Sequence, residues 1–241
     1  MISAFSLAIA QVPQKEFRLA LAYSVALSVI TLTVLGGLAW WGLSSTGLLD
    51  LPGWLDFLVG WAFETLGWLT FATLTWFLFP AVVSTFVGLF LERVAGAVER
   101  RHYADDPPGK DLSIVRSFMI TMNFLMILIL VNFIGLLLYV PLLFFPILSF
   151  LVFYALNGYL LGREYFELVA FRHLDEQTAK KLRQQHSYRL ILAGAVIAFL
   201  FSIPLVNLVT PLIATAAMVH IFKALARPDK DSILPDQLVN R

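Results

Sequence analysis

Residues 190–222, "LILAGAVIAFLFSIPLVNLVTPLIATAAMVHIF", run without one charged side chain. Read as two antiparallel legs, the first, 190–203, is about 21 Å long at 1.5 Å per residue. A hydrocarbon core about 30 Å thick is too deep for an upright leg of that length. Pro204, Asn207 and Pro211 stand near the centre, where proline rings interrupt a continuous helix. Arg189 and Lys223 flank the run. A re-entrant hairpin that enters and leaves on the same side accounts for the length, the breakers and the flanking charges together. Non-helical backbone at such depth is tolerated only beside protein or a water-filled cavity, so the tip is a candidate pore element.

Two further runs, 19–92 and 117–162, also lack any basic residue. All 17 Lys and Arg fall outside the three runs, with two before the first, five and six in the gaps, and four after the third. If every run returns to the side it left, all basic residues share one face. The positive-inside rule makes that face cytoplasmic, with both termini on it, in an inner (plasma) membrane protein that crosses several times. Composition agrees: 59% of residues are hydrophobic and 14% charged, against about a quarter charged in soluble domains. A net charge of +1 gives no footprint for nucleic acid. Without cysteine there is no thiol chemistry, and His102, His173, His186 and His220 show no metal-ligand spacing. No paired nucleophile and base and no Gly-rich phosphate loop is present, so the sequence points to no enzyme, no cofactor and no metal.

The expected fold is all-α and polytopic, with two long transmembrane helices, two helical hairpins of which at least one is re-entrant, and interfacial amphipathic helices. A single membrane domain over 1–241 divides as follows. Residues 1–16 form an interfacial helix, from the spacing of Ile2, Phe5, Ile9 and Val12, or else a frayed tail. Residues 19–43 are a span, and "SSTGLLDLPGW" is an outer loop near which Glu64 reads as an interfacial carboxylate. Residues 54–100 are one long helix with a bent outer start, an aromatic belt of Trp54, Trp61 and Trp68, and a possible bend at Pro80. Residues 113–162, broken by Pro141 and Pro146, are either two full spans or a deep hairpin. Residues 163–189 are expected to lie along the cytoplasmic surface, with Arg163, Glu164 and Glu167 on one arc and Tyr165, Phe166, Leu168 and Val169 on the other. Residues 190–223 are the re-entrant hairpin and 224–241 a cytoplasmic tail. Arg172 falls on the apolar arc and either snorkels to headgroups or reaches an anion path. Asn132 and Asn157 read as polar contacts between helices.

"IPLVNLVTPLIATAAMVHIF" (203–222), "FPAVVSTFVGLFLERVAGAVE" (79–99) and "LLGREYFELVAFRHL" (160–174), in this layout, resemble the CysZ-type sulfate permease family and its superfamily of etoposide-induced-protein-like membrane proteins. The resemblance implies sulfate entry for cysteine synthesis without ATP hydrolysis, and an oligomer built of two long helices and hairpins that need not fully cross. It also implies a Gly-Leu-Arg-type sulfate motif before the first long helix. In "PQKEFRLAL" only Arg18 matches that motif, the glycine is absent, and Glu16 is adjacent.

A dianion entering low dielectric needs donors in place of water, which Arg forks and helix N-termini supply. Substrate contacts are therefore expected from Asn207, Thr210 and Arg172, with Pro204, Pro211, Pro141 and Pro146 shaping the pore, and the resemblance implies Arg18 as a further one. The partners implied are sulfate or a similar oxyanion, membrane lipid and further copies of the chain. A different class remains open, a non-transporting membrane organiser whose basic face, including "TAKKLRQQHSYR", binds anionic lipid or partner proteins.

Overall fold

The computed structural model describes residues 1–45, 53–110, 114–142 and 144–226, and their side chains except at 43–45, 53–66, 68, 114–121 and 124. These residues form helices and no strand. In chain order the helices are α1 (Ile2–Gln11), α2 (Lys15–Ser45), α3 (Gly53–Gly88), α4 (Leu91–His102), α5 (Ile114–Leu142), α6 (Pro146–Ala170), α7 (Glu176–Gln185), α8 (Ser187–Phe201) and α9 (Val206–Ala226). Among the described residues four stretches are long and apolar enough to cross a membrane: Lys15–Gly42, Leu69–Gly88, Leu125–Leu142 and Val206–Ala226. The all-α, polytopic fold expected from the sequence is the fold observed. The outer loop and the side chains of Glu64, Trp54, Trp61 and Trp68 lie outside the described residues, as does the tail from 227 onward.

The chain divides into two compact units, one of Arg18–Phe90 and one of Met1–Phe17 with Leu91–Arg241. In the first, α2 buries Ala20, Ser24 and Ser28 at helical spacing. Both serines donate to their own helix, Ser24 Oγ to the Ala20 carbonyl at 2.8 Å and Ser28 Oγ to Ser24 at 2.7 Å, so no polar atom is stranded in an apolar contact. A Cβ on Gly36 would stand 2.6 Å from the Phe71 ring, which marks where α2 and α3 touch. Helix α3 continues through Pro80 and ends at Gly88, and two residues, Leu89 and Phe90, separate it from α4. The aliphatic and aromatic side chains on the outer faces of α2 and α3, among them Trp40, Trp41, Trp76 and Phe77, are exposed and suit lipid.

The second unit is built around α9. From Thr210 to Lys223 every residue of this helix is buried, because it is apolar almost all round and is packed by α1, α4, α6 and α8. Its partner leg α8 is locked to α6 by three glycines. A Cβ on Gly194 would collide with the carbonyl oxygen of Gly158 and the amide nitrogen of Gly162, and one on Gly158 would lie 2.8 Å from the Ile191 carbonyl oxygen. The two backbones thus touch directly, as small residues permit in membrane helix pairs.

This contact gauges depth. The register places Gly162 against Leu190 at one end and Tyr154 Oη 3.4 Å from Ser202 Oγ at the other. Helix α8 ends at Phe201, whereas α6 continues from Tyr154 back to Pro146. Carried on at this antiparallel register, Ser202 stands level with about residue 150, because the Tyr154 side chain leans toward the start of its own helix, and the α8–α9 turn lies about 6 Å short of the start of α6.

The charged segment that follows residue 162 differs from the surface helix expected. Nothing breaks the helix at Arg163, and α6 runs on to Ala170. Two residues of its charged arc are buried and Glu164 is half-buried: Arg163 Nε donates to Glu167 Oε1 at 2.7 Å, and Arg183 Nε of α7 lies 3.4 Å from the same oxygen. The cause is α7, which is capped by Asp175 accepting from the Thr178 amide at 3.0 Å and turns Ala179 and Leu182 inward.

Candidate functional site

Of the residues expected to handle an anion, Asn207 and Thr210 stand at the α8–α9 turn and Arg172 at the charged end of the same unit, whereas Arg18 belongs to the other unit.

At the turn, Ser202, Ile203, Pro204 and Leu205 are non-helical and exposed, and Leu205 has φ +64°, uncommon for a residue with a branched side chain. Local bonds satisfy most of its backbone. The Val206 amide donates to the Pro204 carbonyl at 2.7 Å, that of Asn207 to Ile203 at 2.9 Å, and that of Leu208 to Leu205 at 3.3 Å. The first amides of α9, the helix N-terminus at this break, are therefore largely engaged by the turn itself. Asn207 lies in the first turn of α9, half-buried, and its side-chain amide makes no hydrogen bond among the described residues. Thr210 is buried one turn on, and its hydroxyl already donates to the Val206 carbonyl at 2.8 Å. Pro211 continues the helix, and its missing N–H leaves the Asn207 carbonyl without its usual helical partner. In the other hairpin Pro141 lies inside α5 and Pro146 opens α6. Ser149 Oγ donates to the Leu142 carbonyl at 2.7 Å and closes that turn. Asn132 and Asn157 both bond carbonyls of their own helices, those of Leu128 and Phe153.

At the charged end, Arg172 is buried rather than snorkelling. Its Nη2 donates to Glu99 Oε2 at 3.2 Å, and Glu99 Oε1 lies 2.9 Å from His173 Nε2. Two glycines make room for the guanidinium, because a Cβ on Gly109 would stand 2.8 Å from its Nε and one on Gly96 would stand 3.4 Å from its Nη2. Burial by itself would raise the Glu99 carboxyl, but the hydrogen bonds from His173 and Arg172, together with their charges, hold it at about 2. Glu164 has no such help, and burial pushes its carboxyl up to about 7.

Beside this cluster a groove of about 190 Å³ is lined by Gln14, Glu16, Ala97, Arg100 and Arg101. Two neighbouring guanidinium groups offer the forked donors that tetrahedral oxyanions accept, and Glu16 opposes them. Arg18 stands exposed in the first turns of α2.

A polar network that joins the buried Gln11, His220 and Lys223 to the exposed His102 and the half-buried Tyr103 and Asp106 lies at the same end and was not expected from the sequence. Gln11 Nε2 is 2.9 Å from His220 Nε2 and 3.3 Å from His102 Nε2, and Tyr103 Oη is 2.9 Å from His220 Nδ1. Lys223 Nζ pairs with Asp106 at 3.1 Å and lies 5.6 Å from the centre of the Tyr103 ring. A single signal pointed to it, the lone His220 in an otherwise uncharged run. Among the described residues no group of three or more His, Asp or Glu side chains is arranged to hold a metal ion.

Compared with known families, residues 4–211 match the family described as sulfate transporter CysZ/etoposide-induced protein 2.4, and the chain belongs to it. No curated protein matches the chain. The family description names a sulfate transporter.

Proposed function

We propose that this member of the family is a permease that admits sulfate or a related oxyanion across the inner membrane without ATP hydrolysis, feeding cysteine synthesis. The carrying observation is Asn207, a half-buried amide with no hydrogen-bond partner among the described residues, beside a turn that ends about 6 Å short of the start of α6. Irregular backbone there calls for protein or water beside it, and an unpaired amide calls for a polar ligand. In this reading both termini face the cytoplasm and the Asn207 amide serves the passing anion. Pro204 and Pro211 shape the turn, with Pro141 and Pro146 doing the same for the other hairpin. Thr210 lines the path from its buried position. Arg18 receives the anion at the opening of α2, by its match to the family motif. Arg172 contributes through the field of its cluster. Further copies of the chain complete the wall, because one chain's short hairpin encloses little.

Uptake of radiolabelled sulfate by purified protein in liposomes tests this. Saturable uptake is expected, and Asn207→Leu should reduce it with expression and assembly unchanged. Correctly folded protein that admits no oxyanion would support the organiser reading instead, which the exposed Lys180 and Lys181 of α7 favour by offering cations to an anionic lipid surface.

A further inference from the structure

We propose that the groove between the α1–α2 turn and α4 seats the headgroup of a phospholipid that carries both a phosphodiester and a primary ammonium, the phosphatidylethanolamine class. Such a seat is independent of which ion the protein carries, because its readout is binding and not flux.

The five residues that line the groove, Gln14, Glu16, Ala97, Arg100 and Arg101, belong to one compact unit. Ala97, Arg100 and Arg101 are spaced i, i+3 and i+4 on α4 and so share a face of that helix. Arg100 leans back one turn along α4, so that a Cβ on Gly96 would stand 3.3 Å from its Nη1. Glu99, its neighbour in sequence, is buried and held by Arg172 and His173, and gives Arg100 no counter-charge. Gln14 and Glu16 come from the α1–α2 turn and the first turn of α2. Among the described residues the side chains of Gln14, Glu16, Arg100 and Arg101 make no hydrogen bond or ion pair with one another or with any other group.

Two guanidinium groups beside one carboxylate suit neither a simple anion nor a simple cation. A bare oxyanion pairs with the arginines but meets Glu16 as a like charge. A bare cation has the reverse difficulty. A phosphodiester with an ammonium a few bonds away satisfies both signs at once: its free oxygens accept from the forked guanidinium donors, and its N–H groups donate to the Glu16 carboxylate. The groove, at about 190 Å³, has room for far more than one water or a lone ion.

A membrane offers that ligand at this level. The span Lys15–Gly42 begins within the groove, at the residue between Gln14 and Glu16. Helix α1, which leads into the turn, has no ionisable side chain and exposes Ile2, Leu7 and Ile9, a face that suits the boundary between headgroups and acyl chains. Headgroups there are held at high local concentration, so contacts from exposed side chains suffice to fill the groove. The charges also choose among lipids. A quaternary ammonium has no N–H for Glu16, and a glycerol headgroup brings no positive charge, so choline and glycerol phospholipids are the weaker ligands.

The test uses the full chain in detergent, stripped of lipid, and measures by isothermal titration calorimetry the binding of short-chain phosphatidylethanolamine, phosphatidylcholine and phosphatidylglycerol. Glycerophosphoethanolamine and inorganic phosphate serve as the water-soluble probes. The ethanolamine lipid should bind about fivefold more tightly than the other two, the size of one exposed charge pair. Glu16→Gln should abolish that preference, and the double variant R100Q/R101Q should weaken binding of all three lipids about tenfold or more. Equal affinity for the three lipids in the wild-type chain would overturn the proposal without recourse to any variant. A preference that survives Glu16→Gln would overturn it too, by placing the lipid elsewhere. Inorganic phosphate or glycerophosphoethanolamine bound as tightly as the ethanolamine lipid would assign the groove to a free ion or a free zwitterion and overturn its role as a lipid seat.

Discussion

At the scale of single residues, buried charge separates support from transport. Glu99 is shared by Arg172 and His173 inside the protein, so Glu99→Gln should cost about 3–5 kcal/mol by leaving a buried cation unmatched. Thermal unfolding in detergent would measure it. The pH dependence has a defined sign. The folded carboxyl titrates at about 2 against an ordinary 4.5, so its contribution is complete above 4.5 and is lost as the pH falls from there through about 2. Glu164 behaves oppositely. Its carboxyl is raised to about 7, so it costs nothing below 4.5, and the cost grows as the pH rises and is complete above about 7. Glu164→Gln should match the wild-type melting temperature at pH 4 and exceed it at pH 8. Arg172→Ala should lower the melting temperature, while Arg18→Ala, at an exposed site, should leave it unchanged and weaken sulfate affinity in a binding assay. Equal loss of affinity in both variants would remove Arg18 from its special place.

At the scale of helices, the α6–α8 contact sets how far the hairpin reaches. Gly194→Ala places a methyl group against the backbone of Gly158 and Gly162, where no side chain can rotate away. The helices must separate, and overpacking of this kind costs about 1–3 kcal/mol. Alanine at Gly88, which meets open space, is the control and should leave the melting temperature within a degree or so of its own helix-propensity effect. The turn carries its own expectation. A cysteine at position 207 should react with small water-soluble thiol reagents, and sulfate should slow the reaction. Complete protection, with normal flux in the Asn207→Leu variant, would reduce the hairpin to a packing role.

For the whole molecule, the distribution of basic residues predicts orientation. Single cysteines at Pro108 and Thr178 should resist an impermeant reagent applied outside intact cells. Labelling of either one, or of a fraction of molecules at both, would refute a single orientation with both termini in the cytoplasm.

The sequence by itself determined the class of this protein. Apolar runs of span length, basic residues confined to the gaps between them and prolines at their centres follow from local chemistry and from bilayer thickness, which need no knowledge of neighbours. The short first leg at 190–203 likewise pointed to a hairpin, and the quoted stretches pointed to the family whose model matches residues 4–211. Tertiary structure alone decided the rest. Arg172 reads as a snorkelling cation until Gly96 and Gly109 make room for it beside Glu99, a partner 73 residues away. Arg163, Glu164 and Glu167 read as a wetted arc until α7 folds over two of them. Gln11 and His220, 209 residues apart, carry no shared pattern in the chain. Periodicity shows that a helix has a buried face but not what covers it, and for a buried polar group the covering partner sets its charge, its hydrogen bonds and its role.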